Sequence, residues 1–140
     1  MLKLKPYSSS LLAFGGFLLC AMGMYFVFIR PALLPEDYKY IGTISSAANE
    51  TIPQLSDWLQ KVFWVMGSYI FTTGLLTVYI ALTSFRTRIR GVFTIVVITG
   101  LGSIGCMTVV NFIINSDFKW VLLAFTLPWL IALILYRLHK

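Results

Sequence analysis

Four stretches of the chain are long, apolar and almost free of charge, at roughly residues 8–29, 62–85, 91–115 and 118–136. About 20 such residues, wound as a helix at about 1.5 Å per residue, cross the ~30 Å hydrocarbon core of a bilayer. The third stretch is rich in Val and Ile and would read as a strand in water. In lipid, every backbone N–H and C=O must be satisfied within its own segment, so runs of this length become helices. The pattern predicts an all-α fold, a single integral membrane domain of four transmembrane helices.

The connections differ in kind. Residues 30–61 form the one sizeable polar segment. It opens with Pro35, suited to a first helical position, followed by Glu36 and Asp37 where the helix dipole favours anions. Gly42 is placed to end this short helix. Asn49-Glu50-Thr51 is a glycosylation sequon, meaningful only in a eukaryotic secretory pathway. A second helix start is expected at Pro53, with Asp57 and Lys61 as an i,i+4 pair, continuing unbroken to Phe85. Such a helix is about 50 Å long and overshoots the bilayer by two to three turns. With the loop helix it is expected to form a short outer cap over 30–61. The other two connections, "RTRIRG" and "NSDFK", are tight turns, so the second, third and fourth spans are expected to be antiparallel neighbours. Pro128 should kink the last helix.

Charge fixes the expected orientation. Lys3, Lys5, Arg86, Arg88, Arg90, Arg137 and Lys140 fall on one side of the membrane with no acidic residue among them. Arg30, Lys39, Lys61 and Lys119 fall on the other with Glu36, Asp37, Glu50, Asp57 and Asp117. The positive-inside rule places both termini in the cytoplasm. The first span exceeds a signal-peptide core and no A-x-A site follows, so it is read as an uncleaved anchor. Arg86, Arg88 and Arg90 are candidates for contact with lipid phosphates. Only 11% of residues are charged, against about 25% in a soluble domain. The basic excess flanks the spans, so membrane lipids rather than nucleic acid are the expected partners.

Small residues recur at helical spacing. Ala13, Gly16, Cys20 and Gly23 make a strip on the first span, and Gly67, Ile70, Gly74, Thr77, Ala81 and Ser84 a longer one on the second. Strips of this kind let backbones approach in lipid, so the two are expected to pack together or against another chain. The third span carries Gly100-Leu-Gly102-Ser-Ile-Gly105, which matches the dinucleotide pattern G-x-G-x-x-G. That site requires a strand before the glycines and a second strand ending in an acid about 20 residues on. Here the flanks are transmembrane and the nearest later acid, Asp117, lies in a turn between helices. No dinucleotide site is expected, and Gly102 and Gly105 are read as places of close helix packing.

The membrane interior holds no Asp, Glu, Lys, Arg or His, with Lys119 at the outer edge of its span, which argues against proton-coupled transport and against acid–base catalysis in the bundle. Cys20 and Cys106 form no C-x-x-C pair, and the single histidine, His139, is terminal. No metal or other cofactor is therefore expected. Asn111 is the most informative polar residue, as an interhelical hydrogen bond or as part of a polar contact in an outward-facing cleft, with Ser68 and Thr72 as companions. Glu36 and Asp37 are outer-face acids that helix capping also explains. The expected function is non-enzymatic: a structural or accessory membrane protein, as a homo-oligomer or within a larger complex. The alternative is binding or transport of a lipid or small hydrophobic ligand, and the third is a lipid-modifying enzyme using Glu36 or Asp37.

"LLPEDYKYIG", "WLQKVFWVMGSYIFTTGLLTVYIALTSFR" and the turn of arginines together resemble a set of small bacterial membrane proteins with an LLPED-like loop. The resemblance spans about residues 28 to 90. It implies a bacterial inner-membrane location and no particular chemistry. The four-span outline is also similar to DoxX-like proteins.

Overall fold

The computed structural model describes residues 5–42 and 54–138, which are mostly helical with no strand among them. The sequon at Asn49, the helix start at Pro53 and the terminal Lys3, His139 and Lys140 lie outside the described residues. Helix α1 covers Lys5–Phe28, α2 Pro35–Ile41 and α3 Leu55–Ile80, which a π-helical turn carries on to Phe85. Helix α4, Val92–Gly100, continues through a second π turn, Leu101–Gly105, into α5, Cys106–Ile113. Helix α6 covers Lys119–Leu138 and contains Pro128. Four segments are long and apolar enough to cross a membrane: Tyr7–Phe28, Leu55–Phe85, Val92–Ile113 and Lys119–Leu138. The second, at 31 residues, is about 46 Å long and exceeds the ~30 Å core.

The tightest contact is between α1 and α3, and small residues make it possible. A Cβ added at Gly74 would lie 2.6 Å from the Cys20 nitrogen and 2.7 Å from the Gly16 carbonyl oxygen. One added at Gly16 would lie 2.9 Å from the Gly74 oxygen. Further along, Gly23 and Gly67 face each other in the same reciprocal way, at 2.7 and 2.8 Å from one another's carbonyl oxygens. The seam is therefore backbone against backbone, where any side chain would hold the helices apart. At its end Ala81 is fully buried, and the Ser9 hydroxyl donates to its carbonyl.

Helix α1 also packs on α6, and α5 packs on α6. The second and third spans come together mainly at the arginine turn, where Ala81–Phe85 meets α4. The order around the bundle is second, first, fourth, third. The third and fourth spans are neighbours as expected, while the second touches the third mainly at the arginine turn and packs on the first. The turn of arginines brings together only the ends it joins, while the glycine seam draws the second span onto the first.

The core reflects this opening. At the arginine end, Leu12, Ala13, Phe85, Val92, Val96, Trp129 and Leu133 form one buried cluster drawn from all four spans. A smaller cluster, Leu19, Met22, Ile104 and Leu122, lies further toward the other end. Beside it the Thr108 hydroxyl meets that of Thr126 at 3.0 Å, and both also bond to carbonyl oxygens. This pair is a buried side-chain-to-side-chain link between third and fourth spans. Sequence reasoning gave that role to Asn111. A threonine can satisfy its own helix and still reach a neighbour, which makes it hard to single out in a sequence.

Candidate ligand cleft between the second and third spans

Because the second and third spans part above the arginine turn, a cleft of about 1320 Å³ opens between them. Its body is apolar. Met66, Tyr69 and Ile70 form one wall, Met107 and Val110 the facing one, and Met22 and Phe125 from the first and fourth spans form the back. Arg30, Glu36, Asp37, Trp58, Lys61 and Asn111 line it toward the opposite end from the arginine turn. The volume is at or above the ~300–1,000 Å³ range of small-molecule pockets, and an apolar body with a few polar groups is their usual composition.

Helix α2 is tied across this polar end at two points. On one side the Arg30 guanidinium contacts Asp37 Oδ2 at 3.3 Å and donates to the Pro31 carbonyl at 3.1 Å. The same Asp37 oxygen accepts the Leu34 N–H at 2.7 Å, capping the first turn of α2. On the other side Glu36 reaches the turn between third and fourth spans. It accepts the Ser116 hydroxyl at 3.0 Å and the Asp117 N–H at 2.7 Å. Asp37 thus caps the helix as its position suggests, while Glu36 acts as a long-range tie. The two carboxylates serve separate partners and do not form a dyad. Arg30 is only 9% exposed and sits 3.6 Å from the Phe63 ring centroid and 5.3 Å from that of Phe26. Two cation–π faces and an ion pair hold it.

Asn111 lines the cleft and donates from Nδ2 to the Met107 carbonyl at 2.9 Å, a bond within its own helix. Ser68 and Thr72 do not join it. They are exposed and bond to Trp64 and Ser68 carbonyls on their own helix, both at 2.9 Å. The seam through Gly67 and Gly74 sets the rotation of α3 and turns these two outward. Thr73 and Ser103 are the hydroxyls that reach the cleft wall instead.

The three glycines of the G-x-G-x-x-G match separate in role. Gly100 lies under the Trp129 indole, whose Nε1 donates to the Val96 carbonyl at 3.0 Å. Gly102 has open space where a side chain would be, and it lines the cleft. Gly105 faces only its own helix, with the Gly100 oxygen 3.1 Å from a notional Cβ. The close packing expected at Gly102 and Gly105 is, within the chain, found at Gly100. The stretch is a π turn, a distortion common at functional sites, and it forms part of the cleft floor.

At the far end of the bundle, Arg86 and Arg90 are exposed and the Arg88 guanidinium stands 4.5 Å over the Tyr136 ring. Arg137 stands 4.7 Å over Phe93. These cations are remote from the mouth of the cleft. Among the described residues no three of His, Cys, Asp and Glu come together as a metal site. Cys20 and Cys106 are both free thiols, the latter on the cleft wall. No protein family, no curated protein and no solved structure matches the chain.

Proposed function

We propose that this protein binds a long-chain lipid or comparable hydrophobic ligand in the cleft, with the tail between the second and third spans and the head at the α2 end. The observation that carries this reading is the apolar cleft itself, with polar side chains gathered at one end. A space of this size between apolar walls accommodates an acyl chain. Asn111 supports the same reading, because its bond is local and it makes no tie to a neighbouring helix.

Native mass spectrometry of the full chain, gently extracted, tests this. A retained lipid displaced by Gly102→Phe is expected. A lipid-free monomer whose stability is unchanged by Gly102→Phe would overturn it.

A second reading is a structural or accessory role in which the cleft is filled by a helix of another copy. The observation favouring it is the sparse burial of the second span, of which only 17% of the most apolar window is covered. Cross-linking between cysteines placed at Tyr69 and Val110 separates the two, since adduct between chains is expected only if a second copy enters.

The proposed location is a bacterial inner membrane with both termini cytoplasmic and α2 outside, as a lid over the cleft. The excess of Arg86, Arg88, Arg90 and Arg137 at one end supports this orientation. Membrane-impermeant thiol labelling of cysteines placed at Lys39 and Arg88 is expected to modify the first and spare the second in intact cells.

A further inference from the structure

Charge is not equally available at the mouth of the cleft. Arg30 is held by two aromatic rings, Asp37 and a carbonyl. Asp37 is occupied by Arg30 and the Leu34 N–H, and Glu36 by Ser116 and Asp117. Lys61 differs from all three. It is exposed, lines the cleft, and its Nζ donates to the Asp57 main-chain carbonyl at 3.3 Å rather than to the Asp57 carboxylate. The i,i+4 ion pair expected from the sequence is thus replaced by a bond that leaves the ammonium charge uncompensated. Among the described residues no carboxylate lies within ion-pairing distance of Lys61, the single such pair being Arg30 with Asp37.

The donor inventory points the same way. An ammonium has three N–H groups, and one is used here. The Asn111 amide has two, and one is used. What the lined mouth offers a ligand is therefore mainly N–H donors, one of them cationic.

We propose that the ligand is an anionic long-chain amphiphile, whose carboxylate or phosphate head accepts hydrogen bonds from Lys61 while its chain lies in the apolar cleft. Asn111 is a second donor for that head. This rests on the lipid-binding reading above. A hydrogen bond with an ionised donor or acceptor is about twice as strong as a neutral one. An anionic head is therefore preferred over an uncharged head on the same chain.

The test is equilibrium binding of radiolabelled palmitate and of hexadecanol, an uncharged chain of equal length, to the full protein in maltoside micelles at mildly alkaline pH. Palmitate is expected to bind about tenfold or more tightly than hexadecanol, equivalent to about 1.4 kcal/mol. Lys61→Gln is expected to abolish the preference, and Lys61→Arg to keep it. Displacement of palmitate by lysophosphatidate would support a phosphate head, and resistance to it a carboxylate. Equal binding of the two probes to the wild type, or palmitate binding that ignores Lys61→Gln, would overturn the anionic head while leaving the cleft intact. Failure of both probes to bind, or binding of both undiminished in Gly102→Phe, would overturn the cleft reading and this one with it.

Discussion

Trp129 lies directly across Gly100, so that the third and fourth spans meet ring against bare backbone, and the indole N–H closes the contact on the Val96 carbonyl at 3.0 Å. The ring occupies the space where any other residue at position 100 would place its Cβ. Two residues further on, Gly102 faces nothing within 4 Å.

Gly100→Ala is therefore expected to destabilise the protein by about 1–3 kcal/mol, the usual cost of forcing extra volume into a packed contact. Gly102→Ala, in the same π turn, should stay within about 0.5 kcal/mol of wild type. Thermal melting in detergent, followed by tryptophan emission, checks the difference. Equal losses at both positions would contradict the assignment of the close contact to Gly100.

Along the α1–α3 seam each notional Cβ meets at least one main-chain atom, which cannot rotate away, beside side-chain atoms such as those of Phe26, Val27 and Cys20. Gly67→Ala and Gly74→Ala should each cost about 1–3 kcal/mol and weaken the contact of first and second spans. Gly15→Ala is the control, since its nearest neighbour is the Pro128 Cβ at an ordinary 3.6 Å. Denaturant titration in mixed micelles ranks the three, and a loss at Gly15 as large as at Gly74 would contradict the seam.

Thr108 and Thr126 invite a double-mutant cycle. With their hydroxyls 3.0 Å apart, the two Thr→Val substitutions should show a coupling energy of about 0.6 kcal/mol, and at most about 1.7 kcal/mol, as for interhelical hydrogen bonds in membranes. Full additivity would mean that the two hydroxyls are not coupled to each other.

The tie from Glu36 to Ser116 and Asp117 joins elements 80 and 81 positions apart in sequence. Glu36→Ala removes a charged acceptor from both, at about 1.5–3 kcal/mol for each such bond. Amide hydrogen exchange across Pro35–Ile41 should rise about tenfold or more while exchange within α1 and α3 is unchanged. Exchange that stays slow in α2 would show that Arg30 and Asp37 suffice to hold it.

The four spans were legible in the sequence because lipid leaves the backbone one solution, whatever the β-branched content of Thr94–Thr99. The small-residue strips through Gly16, Gly23, Gly67 and Gly74 were equally plain, because their spacing repeats with the helix. What escaped was governed by distance along the chain or by helix rotation. The reach of Glu36 to Ser116 has no local signature, and neither does the choice of Thr108 over Asn111. Ser68 and Thr72 were assigned to a polar contact without knowing which side of α3 the seam would take. The cleft was invisible for a related reason. "RTRIRG" guarantees that the second and third spans begin close together and says nothing of where they end.

The order of spans around the bundle bears on how the protein is made. A nascent chain that has reached residue 85 already holds both halves of the glycine seam, so the first two helices can pair as soon as they leave the ribosome and enter the bilayer. The third helix has no such welcome. Its main partner, with Trp129 for Gly100 and Thr126 for Thr108, follows it in the chain. Until residues 119–138 have been made, the bare backbone at Gly100 that later receives the indole has no partner, and this contact waits on the fourth helix.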